Sequence, residues 1–339
     1  MSLLITGGLG FLGQQLARHV LRRGTVWGPR LKREVELEQL TLFDVSLPPE
    51  DSPLPADIMA DSRVRIMTAD LTEPGVADEL VDDDAMSVVH LASMVSGDTE
   101  ADHVKGWEVN VEGQRSLLES LRTRAPGARF LFTSSTAALG PVAAGESASD
   151  ETKMLPMNTY GFHKTVCELM VNDYARRNFV DARCLRLPVV VVRPGAPNAA
   201  LTGCWSSVVR EPLKGEDVDI PVPMDVQLPV ASYQTVVAGI STLMNDATPE
   251  QLAEHGADRA YMLPSLSASP RELYEAARKL AEQHDLPIGT VRAREEEVAT
   301  RIVSGMGARA DASRALALGI ARDESADSIV RAYADEYVL

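Results

Sequence analysis

The sequence predicts an α/β protein: a doubly wound parallel sheet with a smaller mixed α/β lobe behind it. Three observations carry that expectation. Short apolar runs alternate with helical stretches through the first half of the chain, the mark of a parallel sheet covered on both faces. The first run passes directly into a glycine turn, Gly7-Gly8-Leu9-Gly10-Phe11-Leu12-Gly13. Around Leu187 the alternation stops, where Pro188, Pro194, Gly195 and Pro197 break regularity.

Taken in order, strands are expected over 3–6, 39–43, 64–68, 87–91, 129–133 and 182–187, with helices between them over 11–23, 98–124 and 158–178. The stretch 24–38 reads as an insertion before the second strand, and the proline-rich stretch 46–61 as loop. The aliphatic run 187–192 is far too short to span a bilayer and reads as a buried strand, with a loop beginning at Pro188. Short strands and helices follow. Ser269 is a good N-cap, with Pro270 at the first helical position and Glu272 placed to close a capping box. The stretch 323–337 reads as an amphipathic helix. There is no internal repeat, and the acidic triplets at 82–84 and 295–297 read as solvated turns or helix faces.

The 339 residues suffice for one large α/β domain and a smaller second lobe, and 45% hydrophobic residues suffice for its core. A net charge of −16 repels phosphate backbones and anionic lipid heads, which argues against nucleic-acid and membrane partners. Any anionic substrate must find a local positive pocket. Cys167, Cys184 and Cys204 are odd in number and lack CxxC spacing, which suits a reduced cytoplasm and argues against disulfides or a zinc site. No signal peptide is visible, since the apolar run at 2–5 is short and lacks a basic leader.

Gly7, Gly10 and Gly13 form a GxxGxxG turn between a strand and a helix that opens with Phe11 and Leu12. The first glycine permits the turn, the second lets a pyrophosphate approach, and the third lets the helix pack on the strand. Free N–H groups at the helix start then meet the phosphates. Asp44 ends the second strand, where a carboxylate accepts from ribose hydroxyls and repels a 2′-phosphate, which favours NAD. Its distance from Gly13 exceeds the usual spacing of about 20 residues, the excess being the 24–38 insertion. Asp70 and Leu71 follow the third strand, and Ala92 and Ser93 the fourth, at strand ends where ligands of open sheets bind. Asp70 reads equally as a helix N-cap, and Asp44 also as the cap of a turn.

Tyr160 and Lys164 lie one helical turn apart and share a face. A free phenol ionises near pH of about 10, and a neighbouring ammonium and a positive nicotinamide would both favour the phenolate. Ser135, at the end of the fifth strand, is suited to hold a substrate oxygen beside that phenol. Asn110 is unfavourable inside a helix, which points to a tertiary role. His163 reads as structural, and the other histidines show no ligand spacing.

The glycine turn with Ser135, Tyr160 and Lys164 resembles the extended short-chain dehydrogenase/reductase family, also called the NAD-dependent epimerase/dehydratase family, over essentially the whole chain. The resemblance implies a Rossmann domain over 1–187, with 232–262 returning to it, and a substrate lobe from 188–231 and 263–339. It implies NAD as cofactor, Ser135, Tyr160, Lys164 and Asn110 as the catalytic tetrad, Pro188 and Val190 beside the nicotinamide, and a homodimer. The segments 95–102, 168–174, 185–198, 210–213 and 230–232 are similar to a branch of the family that oxidises a small sugar acid. Arg193 and Arg210 are candidates to pair its carboxylate, or are structural ion pairs. Ser93 and Ser96 are candidates for its hydroxyls. Two other readings stand beside this one. A nucleotide-sugar epimerase or dehydratase would use the same tetrad with NAD kept bound, but needs basic groups for two phosphates. A partner-binding member would commonly lack the tyrosine or the lysine.

Overall fold

The computed structural model describes residues 1–49, 53–143, 145–195, 201–254 and 256–339. Pro197, read as a breaker of regularity, His255, read as having no ligand role, and the end of the 185–198 segment therefore lie outside the described residues. Seven strands form one parallel sheet: β1 (Ser2–Thr6), β2 (Gln39–Asp44), β3 (Val64–Thr68), β4 (Ser87–His90), β5 (Arg129–Ser135), β6 (Asp181–Leu187) and β7 (Ala260–Met262). Their order across the sheet is β7-β6-β5-β4-β1-β2-β3.

The strands are apolar along their length because both faces are covered. Leu3 and Ile5 enter one core with Leu16, Val20, Leu42, Val236 and Ile240. Leu4, between them, enters the opposite core with Phe43, Val88, Leu117, Phe130 and Val171. The helices Phe11–Arg23 and Tyr233–Ser241 cover the first face, and Gly113–Arg124 and Thr159–Arg176 the second. Chain winding reverses between β1 and β4, the switch point where such sheets bind ligands. The register sets Thr6 beside Phe43 and His90, Asp44 beside Thr68, and Ser135 beside Leu187. The loops that leave these strands therefore share one edge of the sheet.

Several local expectations change. The insertion is an antiparallel hairpin of Thr25–Gly28 with Arg33–Glu36, and its Trp27 ring carries the buried Arg129 guanidinium at 3.8 Å. The expected loop over 46–61 contains a short helix, Ala56–Met59, and residues 50–52 are outside the described set. The helix expected over 98–124 is broken. Asp102 leaves helical geometry, and its carboxylate accepts the Lys105 N–H at 3.0 Å, so it caps a new helix at His103–Trp107. A π-helical segment, Glu108–Glu112, then precedes Gly113–Arg124.

At Pro188 the chain leaves the large sheet. Val189–Val191 pairs in parallel with Leu228–Ser232, which pairs antiparallel with Leu266–Ala268. A third core of Trp205, Val208, Leu228, Leu273, Leu280, Ile329 and Tyr333 lies beneath. The Ser269 capping box is present, and Ser325 caps the helix Ala326–Tyr337. Ala312, Ala315, Leu318 and Ile320 join the core of the large sheet instead of this third core, although they lie in the stretch assigned to the lobe. The last turn of Ala326–Tyr337 reaches the first helix of the chain. Gln15 Nε2 donates to the Tyr337 hydroxyl at 2.7 Å, the Tyr233 hydroxyl donates to Glu336, and the Tyr233 ring meets Phe11 edge-on at 5.1 Å. All three cysteines are buried free thiols.

Candidate active site

Gly7 adopts φ +68°, and a Cβ there would stand 2.8 Å from the Ala92 amide nitrogen. One on Gly13 would stand 2.3 Å from the Gly7 carbonyl, so helix and turn touch. Gly10 differs. Its nearest neighbour would be the Gly7 carbonyl oxygen at 3.4 Å, a tight contact but with no other atom in reach. Gly10 also starts the Phe11–Arg23 helix without a side-chain cap, leaving first-turn N–H groups for another acceptor. Internal packing asks little of this glycine, whereas an approaching pyrophosphate asks for it. The turn fits a dinucleotide.

A cavity of about 700 Å³ opens along the carboxyl edge of the sheet. Following the strand order, its wall includes Asp70 and Leu71, then Asp44, then Gly7, Gly10, Phe11, Leu12 and Gly13, then Ala92, Ser93 and Ser96, then Ser135, Tyr160 and Lys164, and last Pro188, Val190 and Arg193. Asn110 and Arg210 are not on the wall. Asp44 accepts the Leu9 and Val45 N–H groups at 3.2 and 2.9 Å, one on each oxygen, which holds the carboxylate toward the glycine turn. Asp70 accepts from the Thr72 N–H and hydroxyl and pairs with Lys105 at 3.2 Å, and these bonds, led by Thr72, lower its pKa. It is both a turn cap and a wall residue.

The reacting end is built by close backbone approach. Asn158 caps the Thr159–Arg176 helix by accepting the Gly161 N–H at 2.7 Å. Gly161 packs directly on Ala137, in the turn after Ser135, so Tyr160 meets Ser135. Lys164 donates to the Thr133 carbonyl at 2.9 Å and lies 5.3 Å from the Tyr160 ring centroid. Burial pushes the Tyr160 phenol up to about 12, with the Ser135 hydrogen bond pulling the other way. Burial brings the Lys164 amine down to about 8. The net shift of the tyrosine is thus upward, opposite to the lowering expected from the lysine, because desolvation disfavours both charged forms. Beneath this pair the Ser134 hydroxyl donates to Glu168, which receives Arg186 bidentately at 2.7 to 3.1 Å. Arg186 also reaches Asp150, whose Oδ1 accepts the Met262 N–H at 2.7 Å. This buried carboxylate–guanidinium floor was not read from the sequence.

The two candidate arginines separate. Arg210 is 2% exposed and fully engaged, with Glu211, the Ser207 hydroxyl and the Arg193 carbonyl. It is a structural ion pair, as the alternative reading allowed. Arg193 lines the cavity, and its buried Nη1 has no hydrogen-bond partner among the described residues. Asn110 lies one layer behind the wall. Its Oδ1 accepts from the Met94 N–H at 2.7 Å and the Ser93 hydroxyl at 3.2 Å, and its Nδ2 donates to the Met94 carbonyl at 3.1 Å. Lys105, Met94 and Thr202 line the cavity without having been anticipated. Lys105 was hidden inside what read as one long helix, and the sequence gives no signal for the other two.

A glycine turn at the switch point, with a tyrosine and lysine over the same edge, defines a dinucleotide-dependent oxidoreductase. A family model described as the NAD dependent epimerase/dehydratase family matches residues 3–251, and the chain belongs to that family. It is an NAD-dependent dehydrogenase of the extended short-chain dehydrogenase/reductase type. Over 99% of its length it is 40% identical to D-erythronate dehydrogenase of Cupriavidus necator, covering 98% of that protein. It is 33% identical to D-erythronate dehydrogenase of Haemophilus influenzae, over 98% of each chain. A solved structure titled as a nucleoside-diphosphate-sugar epimerase from Agrobacterium tumefaciens superimposes with a TM-score of 0.86 at 32% identity, over 100% of this chain and 94% of that one.

Proposed function

We propose that the protein oxidises the C2 hydroxyl of a small sugar acid, D-erythronate above all, to the 2-oxo acid. The names of its two full-length relatives support the substrate. The observation that carries the reading is Arg193, a half-buried residue whose Nη1 has no hydrogen-bond partner among the described residues, on the wall that also holds Tyr160 and Ser135. In a 2-hydroxy acid the carboxylate is bonded to the reacting carbon, so its anchor must stand close to the base. Arg193 supplies a cation on the same cavity wall as that base, while the chain as a whole repels anions.

NAD supplies the hydride acceptor and a positive charge near the phenol. Gly7, Gly10 and the start of the Phe11–Arg23 helix would hold its pyrophosphate, and Asp44 its adenosine ribose. Ionised under that positive charge and the Lys164 ammonium, Tyr160 as the phenolate takes the proton of the C2 hydroxyl at its phenolic oxygen, and Ser135 orients that hydroxyl. The unit formed by 1–187 and 232–262 serves the cofactor, and the remainder serves the substrate. Val104, Phe162 and Leu169 are exposed apolar residues on the two adjoining helices, and a homodimer would cover them. Three buried free thiols suit the cytoplasm. Among the described residues no helix is long and apolar enough to cross a membrane.

The likeness to the Agrobacterium structure favours a second reading, an epimerase that keeps its NAD. The deciding experiment follows NADH absorbance with NAD and D-erythronate, L-threonate or D-threonate. Net NADH from one acid supports the dehydrogenase. Silence across the panel with NAD bound overturns it in favour of sugar nucleotides.

A further inference from the structure

His163 stands between Tyr160 and Lys164 in sequence but points away from the cavity. It is fully buried, and its Nδ1 lies 3.4 Å from Asn110 Nδ2. Which end of that amide is oxygen and which nitrogen follows from Met94. Asn110 Oδ1 must accept from the Met94 N–H, so Nδ2 is the donor that faces Met94 O and His163. A donor facing Nδ1 requires Nδ1 to be the acceptor, which places the single proton of a neutral imidazole on Nε2. The ring is also located by packing. A Cβ on Gly106 would stand 3.0 Å from Thr99 Cγ2 and 3.1 Å from His163 Cε1, so the helix His103–Trp107 approaches the imidazole closely. Asn110 reaches this position from the π-helical segment, and its own carbonyl accepts from the Cys167 thiol at 3.1 Å.

We propose that His163 is a positioning residue of the substrate wall. As a hydrogen-bond acceptor it orients Asn110, and Asn110 clamps Ser93 and Met94, the wall segment that leads into Ser96. This rests on the reading of the cavity as a sugar-acid site only for its kinetic consequence. The clamp itself is a property of the fold. It also makes the wall sensitive to acid. A proton on Nδ1 would turn a second N–H against the Asn110 amide and end the contact. The charged and titratable groups around the ring are Lys164 on its own helix, His103 on the helix His103–Trp107 and Glu100 on the helix Ser96–Ala101. Burial first, then His103 and Lys164, hold its pKa below the ordinary histidine value, with Glu100 opposing, so the clamp is intact at neutral pH.

The test compares H163N, which retains an acceptor oxygen near the Nδ1 position, with H163L, which has none. Amide hydrogen exchange across residues 91–97 and the kinetic constants for the acid are measured on the full chain with NAD. H163L should exchange faster and raise KM about tenfold, the equivalent of one lost hydrogen bond, with kcat less affected. H163N should behave as the parent at neutral pH and lose the fall in kcat/KM that the parent shows as His163 is protonated. Gly106→Ala, whose methyl would press on both the ring and Thr99, should resemble H163L and serves if that variant does not fold. Equal behaviour of H163N and H163L, or parental exchange in both H163L and Gly106→Ala, overturns the proposal. If the parent oxidises no sugar acid, the exchange comparison still decides the clamp, and only the functional reading falls.

Discussion

A Cβ placed on Gly161 would stand 2.1 Å from the carbonyl oxygen of Ala137. No side chain fits there, so the helix that carries Tyr160 rests directly on the turn that follows Ser135. Thr165 reinforces the contact by donating to the Ala138 carbonyl at 3.0 Å. Gly161→Ala should therefore separate the two elements, cost about 1–3 kcal/mol of stability, and depress kcat more than NAD affinity. Urea denaturation and steady-state kinetics check both parts; an unchanged midpoint would refute the close approach.

Tyr160→Phe removes the proton acceptor while leaving the ring. Turnover should fall by roughly 10²–10⁴, with NADH binding, followed by fluorescence titration, retained. Full activity in this variant would sink the mechanism.

Arg193→Gln and Arg210→Gln should fail in different ways. The first should raise KM for the acid roughly ten- to hundredfold through loss of a charge-assisted hydrogen bond, at nearly parental stability. The second leaves the half-buried Glu211 without its cation and should lower stability first. Initial rates beside thermal melts separate the outcomes, and an unchanged KM in Arg193→Gln would remove the carboxylate anchor.

Asp150 predicts a pH dependence of stability. Burial pushes its carboxyl up to about 6 from 3.8, despite the opposing pull of Arg314 and Arg186. A raised folded-state value means that the contribution is complete below the unfolded value and is lost as pH rises through about 6. Asp150→Asn does not titrate, so its stability relative to the parent should improve between about pH 4 and pH 7, by on the order of 3 kcal/mol. Chemical denaturation of both proteins at the two pH values measures this, and a constant difference would contradict it.

The elements that obey a local period were legible in the sequence. The Phe11–Arg23 helix follows a glycine turn, and Ser269 announces its helix by a capping box, because in each case the signal and the structure lie within a few residues. The break at Asp102 was not legible. Its cause is a carboxylate that caps a second helix, and the periodicity of the flanking residues continues across it. Asn110 gave half of its meaning: an amide in mid-helix signalled a tertiary role, but only the fold shows that Met94 receives it. The pairing of Glu168 with Arg186 spans 18 positions and two element types, and nothing local distinguishes those residues from surface charges. Arg193 and Arg210 were equivalent in sequence and were told apart only by which of them already has partners.

The bond from Gln15 to Tyr337 joins residues 322 positions apart. Closing so long a loop is slow relative to forming neighbouring helices and parallel pairs. The helix that opens at the nucleotide-binding turn therefore takes part of its packing from the far end of the chain, and completes it only when both ends have been gathered.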